Sequence, residues 1–134
     1  MNLDAMPLTR QVDFVFKQLE EELLHSLAGT VIIQIRNNVV GKYGVRHNPI
    51  ESKNGRIGQS EHGMTRDQVH AFRQMAVDSI KLKRNWTHGE ILYDFSVRSG
   101  AWTASILFES NYNLASGMFR YTPKHGPQNL RDTL

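Results

Sequence analysis

A chain of 134 residues with 16 basic and 13 acidic side chains, a net charge of +3 and no cysteine has the size of one ordinary domain and can bury a sizeable core unaided. The missing cysteines exclude a disulfide scaffold, a thiolate zinc site and a cysteine nucleophile. No apolar run approaches the roughly 18 residues of a membrane span, and residues 1–7 lack the basic-then-apolar order of a secretion signal, so the expectation is a single cytoplasmic domain over 1–134 with no membrane partner.

Leu8, Val12, Val15, Phe16, Leu19, Leu23 and Leu27 recur three or four apart, which predicts one amphipathic helix over 8–28. Pro7 suits its first turn, Gly29 its C-terminal cap, and Glu20, Glu21 and Glu22 fall on its solvent side. Val31, Ile32, Ile33 and Ile35 predict a strand over 30–36. Asn37-Asn38 can take the positive φ of a tight turn. The return strand, 39–46, places Val39, Tyr43 and Val45 on one face, with Gly41 and Gly44 as bulge candidates. Residues 47–63 contain Pro49, Asn54-Gly55, Gly58 and Gly63, the composition of a long loop with a short strand near Ile57. Thr65 and Gln68 have capping-box spacing and Met64 can staple onto Val69. They open a second helix, 64–84, with Val69, Phe72, Met75, Ala76 and Ile80 as its buried stripe and Lys81, Lys83 and Arg84 at its end, where cations suit the dipole.

The strongest pattern follows. Residues 91–97 and 101–108 alternate around Ser99-Gly100, a hairpin signature. Tyr93, Phe95 and Val97 face one way, and Trp102, Ala104, Ile106 and Phe108 alternate similarly. A third run, 117–122, stops at Pro123, and 124–134 is expected to fray. Both tryptophans, Trp86 and Trp102, fall in this region, which is expected to carry the core. The order of elements predicts an α+β domain: an antiparallel sheet of about five strands with two long helices packed on one face.

Chemistry is sparse. His25, His47, His62, His70, His88 and His125 form no metal spacing. Asp67 and His70 share a helix face, two ligands where a site needs three or four. His62 follows Glu61 in the glycine-rich loop without a visible orienting partner. There is no nucleophile elbow, and Gly55-Arg56-Ile57-Gly58 is too short for a phosphate loop. Glu90 and Asp94 share a strand face as surface charge. No catalytic residue, metal ligand or cofactor is therefore assigned, and a non-enzymatic protein-binding module is expected. Its candidate contacts are Glu20, Glu21, Glu22, His47, Lys53, Arg56, Glu61, His62 and Arg66. Charge is uneven: residues 1–28 hold two basic and five acidic side chains, residues 36–84 ten and four, and residues 85–134 four of each. A basic middle attracts phosphates or an acidic protein face. The alternative is thus nucleic-acid binding through Arg46, Lys53, Arg56, Arg66 and Arg73, with Tyr43 nearby.

The sequence of pieces (an amphipathic helix, a strand pair, a long second helix, Trp86, then a hairpin with Gly100 and Trp102) resembles the YezG/EsaG-like bacterial immunity proteins. That resemblance implies an antitoxin that binds a secreted toxin, often a nuclease, and so implies no catalytic residues. Such antitoxins tend to be acidic. Here only the first helix, with Asp13, Glu20, Glu21 and Glu22, offers an acidic face, so the resemblance implies a toxin surface other than a basic nucleic-acid groove.

Overall fold

The computed structural model describes residues 6–58, 63–83, 88–112 and 114. In chain order the elements are helices α1 (Leu8–Gln18) and α2 (Glu20–Leu24), strands β1 (Ala28–Arg36), β2 (Val39–His47), β3 (Ser52–Lys53) and β4 (Arg56–Ile57), helix α3 (Arg66–Ser79) continued by a 3-10 turn over Ile80–Leu82, and strands β5 (His88–Arg98) and β6 (Ala101–Ser110). The main sheet has the order β2-β1-β5-β6, every neighbour antiparallel, and β3 and β4 form a separate two-stranded ribbon. An α+β fold is therefore present; among the described residues the main sheet has four of the about five expected strands, and β3 and β4 add a ribbon that the sequence reading placed within a long loop. The expected strand over 117–122, the tail, Trp86 and Arg84 lie outside the described residues.

Each hairpin is made by a two-residue turn. Asn37-Asn38, Asn54-Gly55 and Ser99-Gly100 all hold positive φ at both positions, the requirement of the type I′ turn whose twist matches that of its strands. Helix α3 opens with the expected capping box: Thr65 Oγ1 accepts from Gln68 N–H at 3.1 Å, and Gln68 Oε1 accepts from Thr65 N–H at 2.9 Å. The Gln68 amide also donates to Gly100 O at 3.0 Å, tying the start of the helix to the tip of the β5–β6 hairpin.

Alternation along the strands sets the two faces of the sheet. Val31, Ile33 and Ile35 of β1 and Ile91, Tyr93 and Phe95 of β5 point to the helices and are buried. On β6 the same side carries Trp102, Ala104, Ile106 and Phe108, half-buried against the core. Helices α1 and α3 lie on this face. Phe16 of α1 and Phe72 of α3 meet edge-on with ring centroids 5.0 Å apart, and Tyr93 stands edge-on to both at 5.6 and 6.1 Å. Phe72 also meets Phe95 and Trp102 at 5.4 and 5.7 Å. Such pairs add about 0.5–1.5 kcal/mol each beyond the area they bury, so Phe72 is the centre of the core.

Three expectations need correction. The helix expected over 8–28 is two: α1 stops at Gln18, Leu19 bends, and α2 ends at Leu24. Helical hydrogen bonds cross the bend, from Leu19 N–H to Val15 O and from Leu23 N–H to Leu19 O, both at 3.0 Å. Leu27 is already bound to the sheet, its carbonyl accepting from Val97 N–H at 2.7 Å. Gly29 is not a cap. It sits in β1, where a methyl group would meet Arg46 O at 2.6 Å and the Phe95 ring at 3.3 Å. Finally, Val39 does not share a face with Tyr43 and Val45. The β1–β2 register slips by one between Ile35↔Val40 and Ile33↔Tyr43, so Gly41 and Lys42 together oppose Gln34. This β-bulge inverts the alternation of β2, sending Tyr43 and Val45 to the helix side while Val39 stays on the open side.

Among the described residues no helix covers the other face of the sheet. Its side chains form rows across the strands: Arg46, Thr30, Asp94, Ser105; then Gly44, Ile32, Leu92, Leu107; then Lys42, Gln34, Glu90, Glu109. The middle row is apolar, and Leu107 is 58% exposed.

Candidate functional site

The acidic run of α2 meets two basic residues from distant parts of the chain. Arg66, the first residue of α3, donates through Nη1 to Glu20 Oε1 at 3.1 Å. His47, the last residue of β2, places Nε2 3.5 Å from Glu22 Oε1 and Nδ1 3.3 Å from Ser26 Oγ. Glu21 is exposed, its carbonyl 2.8 Å from His25 Nδ1. Four of the expected contact residues, Glu20, Glu22, His47 and Arg66, are thus gathered at one corner. Packing there is tight: Met64 N–H donates to Leu23 O at 3.2 Å, and a methyl group on Gly63 would meet Leu24 O at 2.1 Å.

Serine, histidine and glutamate in sequence of contact suggest a hydrolytic triad, but the geometry assigns them another task. Ser26 is buried, and its hydroxyl donates to Glu22 O at 2.7 Å. The hydroxyl proton is therefore held by a helix carbonyl rather than offered to the imidazole, as nucleophile activation requires. Ser26 Oγ shares the Glu22 carbonyl with the His25 N–H, which donates to it at 3.2 Å, and His25 Nδ1 lies beside Glu21 O, so side chains join the backbone in satisfying the last carbonyls of α2. The corner clasps α2 to β2 and α3, and its ion pairs are largely exposed.

Lys53 and Arg56 lie elsewhere, directly opposite one another in the β3–β4 ribbon. Every residue of the ribbon is exposed. Ile50 and Ile57 beside them are 72% and 64% exposed. Neither cation forms an ion pair among the described residues, whereas like charges placed opposite each other destabilise a strand pair. Glu61 and His62 lie outside the described residues.

The basic middle is not one surface. Arg73 packs between α3 and α1, donating through Nε to Asp13 Oδ1 at 2.5 Å and through Nη2 to Asp13 Oδ2 at 3.1 Å. This bidentate fork, with Lys17 adding its charge at 3.8 Å, holds the Asp13 carboxyl below the usual carboxylate range even though burial opposes it. Arg66 is taken by Glu20. Of the expected nucleic-acid contacts, Arg46, Lys53 and Arg56 remain without an acidic partner among the described residues, as does Lys42.

One feature had no sequence signal of its own. A shallow depression of about 410 Å³ lies at one end of the open sheet face, lined by Thr30, Asn48, Asp94, Ser96, Thr103 and Ser105 among others. Thr30 donates to Asp94, and Ser96 Oγ lies 3.2 Å from Thr103 Oγ1. Hydroxyls with one carboxylate supply neither a base with an orienting partner nor an oxyanion pocket. Strand alternation marks these side chains as outward, but only the strand order brings β1, β5 and β6 together. The described residues contain no group of three or more histidines and carboxylates able to hold a metal ion, and no helix among them is long and apolar enough to cross a membrane.

Comparison with family models, curated proteins and solved structures returned no match.

Proposed function

We propose that this protein is a non-enzymatic binding module that acts in the cytoplasm as an immunity protein, masking an acidic surface on a toxin of the kind neutralised by the YezG/EsaG-like family. The observation that carries this reading is the β3–β4 ribbon. Lys53 stands opposite Arg56 in a fully exposed two-strand element that itself carries exposed Ile57, with exposed Ile50 two residues before it. A ribbon that places two cations side by side is relieved when an anionic surface joins it, and the isoleucines supply the apolar contact that a charged rim alone lacks. A docking area of about 800 Å² per partner fits on a domain of this size. The chain reaches the ribbon from His47 through only Asn48 to Glu51, so the ribbon is tethered next to the clasped corner.

The test is affinity capture at low salt with the parent chain and with a Lys53→Glu, Arg56→Glu double variant. A partner held at stoichiometric yield by the parent, toxic when expressed alone and bound about 10- to 100-fold more weakly by the variant, supports the reading. Absence of a stoichiometric protein partner, or a complex indifferent to the double variant, overturns it.

A second reading rests on Lys42, Arg46, Lys53 and Arg56, which no acidic group neutralises among the described residues. Four phosphate contacts would give duplex binding a log–log salt slope of about −3.6. Flat, weak filter binding across a salt series dismisses it.

A further inference from the structure

The open face of the main sheet is built from rows whose ends differ in charge. On the β2 side stand Lys42 and Arg46. On the β5–β6 side stand Glu90, Asp94 and Glu109. Between them runs the apolar row Ile32, Leu92, Leu107, which ends on β2 at Gly44. Leu107 projects with 58% of its surface exposed. At Gly44, by contrast, an added methyl group would meet nothing within 4 Å. The face therefore has a knob at one end of its apolar row and a hollow at the other. Within these three rows the cations and carboxylates are separated in the same direction, while beyond them Arg36 on β1 and Arg98 on β5 add cations at opposite ends of the face.

We propose that this face binds a second copy of the same chain, the two sheets packing face to face about a twofold axis parallel to the strands. Such an axis lays β2 of one copy over β6 of the other and β1 over β5, and it keeps each row at its own level. Leu107 of one copy then enters the space above Gly44 of the other, and Ile32 meets Leu92. Lys42 stands over Glu109, two exposed residues that form no ion pair among the described residues. Gln34 faces Glu90, to which its own copy's Gln34 already donates at 3.0 Å. Every contact occurs twice, as an isologous interface requires. A twofold axis across the strands is disfavoured by the same map: it sets Lys42 over Arg46 and Glu90 over Asp94.

Sheets packed in this manner stand about 10 Å apart with their strands within about 30° of each other. Four strands of about nine residues give a flat footprint of roughly 600 Å² per copy. The corrugated side-chain surface exceeds its footprint and approaches the about 800 Å² per partner of a standard interface. None of these contacts involves the ribbon residues of the toxin-binding reading, so either proposal can fail without the other.

Sedimentation equilibrium of the full chain from about 1 to about 100 μM tests this directly. The parent chain is expected to be a dimer. Leu107→Arg is expected to weaken it about a hundredfold or more while leaving the far-ultraviolet circular dichroism spectrum unchanged, since Leu107 is exposed. Lys42→Glu and Glu109→Lys should each weaken the dimer about tenfold, and the combined charge swap should restore it. A parent chain that stays monomeric throughout, whether the face meets solvent or is kept for an unlike partner, overturns the proposal. So does a dimer that survives Leu107→Arg, and so does a charge swap that assembles no better than its single variants.

Discussion

Replacing Gln11 with leucine tests how α1 is fastened to the sheet. Arg36 and Val39 flank a two-residue turn and form its bonded pair, so the next pair, Ile35 and Val40, is a non-bonded one. The Val40 N–H therefore points away from β1, off the edge of the sheet, although Val40 is buried. Gln11, only 2% exposed, reaches from α1 to meet it: Oε1 accepts from Val40 N–H at 2.7 Å, while Nε2 donates to Met6 O at 3.0 Å and Asn38 O at 3.3 Å. Leucine has nearly the same volume, so no large cavity results. The loss is the buried Val40 donor, at about 1–3 kcal/mol, with a smaller share from Asn38, whose carbonyl can turn to water. The expected cost is about 2–3 kcal/mol out of a typical total of about 5–15 kcal/mol, or roughly 6–12 °C in melting temperature. Urea denaturation followed by circular dichroism measures the cost, and hydrogen exchange at the Val40 amide measures the cause. A Gln11→Leu variant within about 0.5 kcal/mol of the parent, with Val40 still slow to exchange, would refute the assignment of Gln11 as the anchor of that donor.

Two further perturbations read the pH dependence. The Asp13 carboxyl is lowered by its Arg73 hydrogen bonds, so the contribution of the bridge is complete above the unfolded carboxylate value of about 3.9 and is lost as pH falls through the lower folded value. Asp13→Asn should accordingly destabilise by about 1–2 kcal/mol near neutrality, and its urea midpoint should converge on that of the parent in acid. A gap that persists unchanged at low pH would show that the amide disturbs packing instead. Tyr93 is pushed up to about 12 by burial, its hydroxyl 3.0 Å from Ser79 Oγ and 3.4 Å from Ala76 O. Stability linked to this phenol is intact below about pH 10 and declines as pH rises through the folded value. Tyr93→Phe should cost about 1 kcal/mol at pH 7 and flatten the alkaline limb. Ultraviolet titration of the native protein should show a late-ionising tyrosine that the variant lacks.

What could be read from the chain was what is local. The capping box of α3 needs only Thr65 and Gln68 at the right spacing. The Asn37-Asn38 and Ser99-Gly100 turns need only residues that tolerate positive φ. Alternation along β5 and β6 named the inward residues, Tyr93 and Phe95 with Trp102 and Ile106. Periodicity failed where chain geometry overrode the pattern of letters: Leu23 and Leu27 continue the helical spacing, yet Leu27 O already belongs to Val97 N–H. A glycine that looked like a helix cap is needed instead for close approach to Arg46 and Phe95. The candidate site was less legible because its contacts are remote. Glu20 and Arg66 are 46 residues apart, Asp13 and Arg73 are 60 apart, and nothing in single-sequence spacing pairs them. The rows of the open face depend on β5 lying beside β1, and strand order is a property of the tertiary fold.

The extra residue at Gly41-Lys42 behaves like a frameshift in a code of period two. With an uninterrupted frame from Val40 onward, Lys42, Gly44 and Arg46 would turn beneath the helices, and Tyr43, Val45 and His47 would turn outward. Two ammonium or guanidinium groups would then need housing among Val12, Phe16 and their neighbours, and His47 would lose its reach to Glu22. Deleting one residue here would scramble the inside and outside of half a strand, whereas most conservative substitutions nearby would leave it intact; length, more than composition, is what this stretch of chain must preserve.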